Sequence, residues 1–176
     1  MVPTHMKITA QEEYGLRCLL RLARGDADQP LTIPEIAAAE RLTAPNVAKL
    51  LSVLRRAGLI ESVRGRDGGY RLARPPADIR LGAVLLALGE PLYDGDYCDR
   101  HAGLDADGPC VHHDGCTLRA LWGTLEGWIR RTLNQITLAD LLQREGRIAD
   151  LLRDRLQAEV FEPAVPLITL TAPPRN

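Results

Sequence analysis

Apolar residues recur at helical spacing in the sequence TAQEEYGLRCLLRLAR, residues 9–24. Thr9 is followed three residues later by Glu12, which is the pattern of a capping box at the start of a helix. The apolar positions on one side of this predicted helix are Tyr14, Cys18, Leu19, Leu22 and Ala23. We therefore expect a first helix with a buried stripe, in which Cys18 is a core thiol.

Two shorter amphipathic segments follow, and each begins with a threonine and an early proline. Thr32 is predicted to cap the first helix of this pair, with Pro34 in its first turn. Thr43 is predicted to cap the second helix, with Pro45 near its start, and this helix is predicted to run to Gly58. Two helices joined by a tight turn are typical of a helix-turn-helix, whose second helix reads DNA.

Residues 59–73 alternate in the manner of two short strands around the turn-forming sequence GRDGG. A β-hairpin directly after a helix-turn-helix is a wing, and the apolar sequence IRLGAVLLALGE then predicts a fourth helix. The predicted fold class is mainly α, with a winged helix-turn-helix domain followed by a cysteine-bearing loop and a long dimerisation helix. The expected boundaries are 6–91 for the DNA-binding domain, 92–117 for the loop, 118–145 for the dimerisation helix region and 146–176 for a C-terminal extension.

The segment after the loop is amphipathic over a long distance. Large apolar residues recur there at intervals of three and four: Leu118, Leu121, Trp122, Leu125, Trp128, Ile129 and Leu133. Such a stripe needs a partner surface, which is either the first domain or another subunit.

The charge distribution separates a basic part of the chain from an acidic part. Nine basic and three acidic residues lie between Arg41 and Arg80, whereas seven acidic residues and one arginine lie between Glu90 and Asp114. A basic winged helix indicates binding to double-stranded DNA. The candidate contacts are Thr43, Asn46 and Lys49 on the second helix of the pair, and Arg64 and Arg66 on the wing. The alternative is that these charges only solvate the surface of an interaction module.

Three of the four cysteines fall in the sequence YCDRHAGLDADGPCVHHDGCTL, residues 97–118. Cys98, Cys110 and Cys116 could hold zinc, with His101, His112 or His113 as a fourth ligand. They could equally hold an iron–sulfur cluster, or act as a thiol switch without metal. A cysteine–histidine pair such as Cys110–His113 would suit an enzyme, but no other catalytic motif accompanies it, so we do not expect an enzyme.

No apolar run approaches the length of about 18–20 residues that spans a bilayer. The N-terminal sequence also lacks the apolar core of a secretory signal. The expectation is therefore a cytoplasmic protein with no membrane partner, in which thiols remain reduced.

The chain resembles the IscR/NsrR/RirA family of bacterial winged-helix regulators over roughly residues 6–145. The resemblance is carried by EYGLRCLLRLA, by LIESVRG followed by GGY, by IRLGAVLLALGEP, by the three loop cysteines and by ITLADLL. It implies a homodimer whose long helices pair, an iron–sulfur cluster of the 2Fe–2S or 4Fe–4S type, and control of operator binding by the state of the cluster.

The resemblance also implies a set of ligands. Cys98, Cys110 and Cys116 become the thiolate ligands of the cluster. IscR-like members carry a histidine ligand three residues after the last cysteine, and Arg119 stands there in this chain. NsrR-like members complete the site with a carboxylate from the other subunit, and the matching residue is Glu13. The three loop histidines remain rivals for that position, and zinc remains the alternative metal.

Overall fold

The computed structural model describes residues 8–26, 29–65, 68–94, 96–100, 110, 112, 115–143 and 145–161. The helices are α1 (Ala10–Arg24), α2 (Ile33–Glu40), α3 (Ala44–Arg56), α4 (Leu81–Leu88), α5 (Tyr97–Arg100), α6 (Thr117–Gln135), α7 (Leu138–Leu141) and α8 (Glu145–Phe161). The strands β1 (Ile60–Val63) and β2 (Gly69–Leu72) lie between α3 and α4. The order of elements confirms the predicted mainly α, winged helix-turn-helix fold class.

The first two helices begin where the threonines predict. Thr9 Oγ1 accepts from the Glu12 backbone N–H at 3.2 Å, and the Glu12 carboxylate accepts from the Thr9 N–H at 2.7 Å. Thr32 and Glu35 form the same reciprocal capping box at the start of α2. Two of the orphan N–H groups at each helix start are satisfied in this way.

Arg41 makes the turn of the helix-turn-helix. It adopts the left-handed conformation with φ 54° and ψ 44°, and its N–H donates to the Ala37 carbonyl at the end of α2. A residue with a Cβ pays roughly 1–2 kcal/mol for this conformation. The tight turn therefore requires an unfavourable backbone conformation at Arg41, and the sequence pattern does not reveal this conformation.

The wing is an antiparallel hairpin with its register fixed between Ile60↔Leu72 and Val63↔Gly69. Leu31 forms an isolated bridge to Tyr70, through N–H···O bonds of 2.8 and 2.9 Å. This bridge ties β2 of the wing to the segment that leads into α2, so the hairpin is anchored to the domain.

One apolar core joins α1, the helix-turn-helix, β1 and α4. Its largest fully buried side chains include Leu19 from α1, Leu50 and Leu54 from α3, and Leu88 from α4. The helices α1 and α3 therefore pack closely in one shared core.

The chain returns to the first domain after α6. Leu81 N–H donates to the Ile136 carbonyl, and Leu138 N–H donates to the Ile79 carbonyl, each at 2.8 Å. Ile136 and Leu138 are buried in the process. The region predicted as 118–145 is thus a 19-residue helix, α6, followed by a segment that docks on the DNA-binding domain.

A second compact unit begins at Arg144 and contains α8. Part of the predicted C-terminal extension is therefore helical. Across the described residues, no helix is both long enough and apolar enough to cross a membrane.

Candidate functional site

The start of α3 presents the residues predicted to read DNA. Thr43 and Lys49 are exposed, and Asn46 is half-buried. Thr43 occupies the N-cap position as predicted, but its side chain makes no capping hydrogen bond. Its hydroxyl is therefore not committed to the helix, which corrects the expectation that the Thr43 side chain caps α3.

The wing places Arg64 at the exposed end of β1, next to Gly65 with φ 120°. Only glycine adopts this backbone conformation readily. Arg66 lies outside the described residues. Arg71, farther along the hairpin, is paired with Glu61 at 2.7 Å.

The three loop cysteines are all free thiols and all half-buried. Cys98 lies in the short helix α5, and Cys116 is the N-cap residue of α6, where its Sγ accepts from the Arg119 N–H at 3.4 Å. Cys110 lies on the chain between them. The fourth cysteine, Cys18, is fully buried in the core, as its helical position predicts.

Arg119 and Tyr93 surround the Cys98 sulfur. The Tyr93 hydroxyl lies 3.5 Å from Cys98 Sγ. A side-chain hydrogen bond with Cys98 is the main cause that raises the pKa of the Arg119 guanidinium, and the charges of Cys98, Tyr93 and Cys116 add to it. The hydrogen bond to Cys98 likewise raises the pKa of the Tyr93 hydroxyl. Neither contact follows from spacing along the chain, so the sequence alone predicts no role beside Cys98 for Arg119 or Tyr93.

The surroundings of these sulfurs suit anionic ligands. Cys116 Sγ lies at the positive end of the α6 dipole, and a guanidinium lies beside Cys98. Iron–sulfur clusters are bound by thiolates, so the donor chemistry of Cys98 and Cys116 fits such a group. Among the residues that the structure describes, no three cysteine, histidine or acidic side chains come together as a metal site.

The rival fourth ligands differ in what is described of them. His112 is exposed, whereas His101 and His113 lie outside the described residues. Glu13 is exposed in the first turn of α1. Its carboxylate has no hydrogen-bond or ion-pair partner among the described residues, so it is available to a second molecule.

Two hydrogen bonds hold the segment between Leu88 and Leu92, which leads into the cysteine loop. The Gln11 side-chain amide donates to the Leu88 carbonyl at the end of α4. The Leu92 N–H donates to the Glu126 carboxylate of α6 at 3.0 Å. The loop is thereby connected both to the start of α1 and to the middle of α6.

The apolar stripe of α6 remains largely uncovered in the single chain. Five of its apolar residues are 36–58% exposed, in decreasing order Leu118, Leu121, Trp122, Trp128 and Leu125. Exposed apolar patches of this kind mark interaction surfaces.

Comparison with known proteins decides the family. A match to the family described as "Rrf2: Iron-dependent Transcriptional regulator" covers residues 8–144. The chain belongs to the Rrf2 family. The HTH-type transcriptional regulator NsrR of Geobacillus kaustophilus is 38% identical over 151 residues, which are 85% of this chain and 99% of that protein. Protein rrf2 of Nitratidesulfovibrio vulgaris is 37% identical over 139 residues, 78% of this chain and 88% of that protein.

A solved structure agrees with this Rrf2 assignment. IscR of T. potens superposes with a TM-score of 0.59 at 28% identity, covering 90% of this chain and 94% of that one. The Rrf2 protein is therefore a transcriptional regulator, and its relatives are regulators rather than enzymes, as predicted. The family description refers to iron, and these comparisons give no support to the zinc alternative.

Proposed function

We propose that this Rrf2 protein is a homodimeric transcription repressor whose binding to operator DNA is controlled by an iron–sulfur cluster. Cys98, Cys110 and Cys116 of one subunit and Glu13 of the partner subunit are the proposed ligands. The observation that carries the proposal is the position of the Cys98 and Cys116 sulfurs around Arg119, at the N-terminus of α6, in a family described as iron-dependent.

When bound, the cluster supplies an electron-transfer and ligand-exchange centre that iron supply, redox state or nitric oxide can alter. The three thiolates provide most of the binding. A carboxylate oxygen is a harder ligand than a thiolate and suits iron less well, so Glu13 would be the first protein ligand to be released.

Release of Glu13 acts on DNA binding through α1. Glu13 lies in the first turn of this helix, and Leu19 and Leu22 farther along it are buried in the core that also holds α3. Because packed cores are not continuously deformable, a shift of α1 moves the recognition helix.

The dimer supports this mechanism in two ways. Pairing of the exposed α6 stripes would bury the apolar side chains that the single chain leaves uncovered. It would also fix the separation of two recognition helices, which must match one helical turn of DNA, about 34–36 Å. A small change in that separation therefore costs affinity.

The DNA contacts proposed here divide between the helix α3 and the wing. Asn46 suits a bidentate contact to adenine, and Lys49 suits guanine or a phosphate. Thr43 has an uncommitted hydroxyl at the start of the same helix. Arg64 and Arg66 on the wing suit a narrow minor groove.

Cys110→Ala tests the control of DNA binding. The variant, purified without oxygen, should lack visible absorbance, and its affinity for an operator selected from random DNA should no longer change when iron and sulfide are supplied. Cys18→Ala is the matched control, because this buried thiol faces the core. A coloured Cys110→Ala protein with normal regulation would refute the assignment of Cys110.

A further inference from the structure

The cysteine loop is attached to α6 at two points in the single chain. One point is the contact of Glu126 with Leu92, at the start of the loop, and the other is the contact of Arg119 with Cys116, at its end. Both contacts exist without a second subunit. Residues of α6 therefore contact both ends of the cysteine loop within one subunit.

Glu126 fixes the backbone just before Tyr93. Its carboxylate is only 13% exposed, accepts from the Leu92 N–H at 3.0 Å, and is held by Arg130 at 3.0 Å. A largely buried carboxylate with two donors has little freedom to move. The chain at Leu92 is therefore fastened to the middle of α6.

Tyr93 extends this anchor to the first cysteine. Its hydroxyl lies 3.5 Å from Cys98 Sγ, and its ring packs on Tyr97 with the centroids 5.6 Å apart. Cys98 is thereby connected to α6 through Tyr93, which follows the Leu92 contact with Glu126.

Arg119 connects the two sulfurs. Its main-chain N–H donates to Cys116 Sγ at 3.4 Å, and its guanidinium interacts with Cys98. One residue of α6 thus contacts one thiol through its backbone and the other through its side chain. No third metal-binding side chain among the described residues joins this pair.

We propose that Arg119 and Glu126 are positioning residues that assemble Cys98 and Cys116 into a two-thiol half-site before any cofactor binds. A metal ion then enters at this half-site first, and Cys110 and the partner subunit's Glu13 close the site afterwards. The inference rests on the proposed function in taking Cys98, Cys116, Cys110 and the partner subunit's Glu13 as ligands.

Titration of the metal-free, full-length protein with Co²⁺ under anaerobic conditions tests this order. Thiolate-bound Co²⁺ has a charge-transfer absorption, so the first binding event is observed directly. Loss of an outer-shell partner of a metal ligand typically costs 10–100-fold in affinity. Arg119→Gln and Glu126→Ala should therefore each weaken the affinity for the first Co²⁺ ion about 10–100-fold. Arg131→Gln, on the same helix, is the control and should leave this affinity unchanged.

The ligands themselves should separate into two classes. Cys98→Ala and Cys116→Ala should each weaken the first binding event more than Arg119→Gln does, and Cys110→Ala should leave its affinity within about threefold of wild type. An equal loss in all three cysteine variants would overturn the proposed half-site.

A double mutant distinguishes positioning from a general structural role. The Arg119 side chain acts through Cys98, so adding Arg119→Gln to Cys98→Ala should change the remaining Co²⁺ binding less than about twofold. An additive loss, or a lower melting temperature of Arg119→Gln that accounts for its weaker binding, would overturn the assignment. Glu126→Gln retains an acceptor oxygen and should lose less affinity than Glu126→Ala.

The iron content of wild-type protein, purified anaerobically, separates this inference from the proposed function. Iron-free wild type whose Co²⁺ affinity still depends on Arg119 would support the half-site and refute the iron–sulfur proposal. Iron-loaded wild type with unchanged Co²⁺ binding in Arg119→Gln would support the proposed function and refute the half-site.

Discussion

The four cysteines differ in their surroundings rather than in their sequence context alone. Cys18 is 0% exposed, and burial raises its pKa to about 11, with Glu40 adding to the rise and Arg17 opposing it. It remains a neutral thiol in the core. The loop cysteines are half-buried, and two of them lie beside Arg119. Two of the proposed ligand thiols, Cys98 and Cys116, thus share Arg119 as a basic neighbour outside the core.

The Cys18 thiol makes stability depend on alkaline pH. Its pKa is 9.0 when solvated and about 11 in the folded protein, so the folded state binds more protons than the unfolded state between these values. The free energy of unfolding should therefore be unaffected by this group below pH 9, and it should fall by about 2–3 kcal/mol as pH rises from 9 to 11.

Denaturant unfolding of wild type and Cys18→Ala across this pH range measures the effect. The variant should start less stable, by about 1 kcal/mol or more because of the cavity, and should lose less stability with pH. Cys110→Ala, compared in metal-free form with metal-free wild type, is the control and should follow it. Parallel pH curves for wild type and Cys18→Ala would contradict the account of Cys18.

At the scale of elements, the recognition helix and the wing contribute different terms to DNA binding. Asn46 on α3 is the proposed base contact, whereas Arg64 on the wing is proposed to supply charge next to Gly65. Base contacts determine sequence preference, whereas the charge of a wing arginine adds to overall affinity and to its dependence on salt.

Arg64→Ala and Asn46→Ala should consequently have different effects. Arg64→Ala should weaken binding to all sequences, with a salt slope reduced by about one, while Asn46→Ala should cost about 1–3 kcal/mol on the preferred operator and relax preference at one base pair. Fluorescence anisotropy at several salt concentrations, with a set of single-base operator changes, measures both effects. Arg71→Gln, whose charge is already paired with Glu61, is the control. Identical profiles for the two variants would refute the division of roles.

Local elements were predictable because their causes are local. The capping boxes of Thr9 and Thr32 and the turn between β1 and β2 depend on residues a few positions apart. The bridge between Arg80 and Thr137 and the contact of Glu126 with Leu92 depend on packing between distant segments. The sequence pattern therefore identified α6 but not the point where the chain leaves it and returns to the first domain.

The candidate site was predictable to the same extent. Residue type and spacing identified Cys98, Cys110 and Cys116 as possible ligands, and family resemblance suggested Glu13. Nothing along the chain indicated that Arg119 and Tyr93 meet Cys98, because these contacts exist only once the loop folds against α6.

At the scale of the whole molecule, the exposed stripe of α6 is the surface that the fold leaves without a partner. Trp122 and Leu125 lie near its centre. In the proposed dimer each stripe covers the other, and the partner subunit's Glu13 reaches the cysteine loop only in that assembly.

Trp122→Glu should therefore dissociate the dimer, because a carboxylate would be buried without a partner in an apolar interface. Sedimentation analysis at micromolar concentration should show a monomer, and the variant should also lose its visible absorbance. Arg131→Glu, away from the stripe on the same helix, should remain dimeric. A dimeric Trp122→Glu protein would contradict the assignment of this surface.

The central claim is that an iron–sulfur cluster joins the three loop cysteines to Glu13 across the dimer. The most direct test is the visible spectrum, with iron and sulfide analysis, of anaerobically purified wild type and Glu13→Ala; Glu35→Ala, at the start of α2, is the control. The account predicts brown wild type and control, and a Glu13→Ala protein that is bleached or spectrally shifted. A Glu13→Ala spectrum identical to wild type would assign the fourth ligand elsewhere, and a colourless wild type without iron would contradict the central claim.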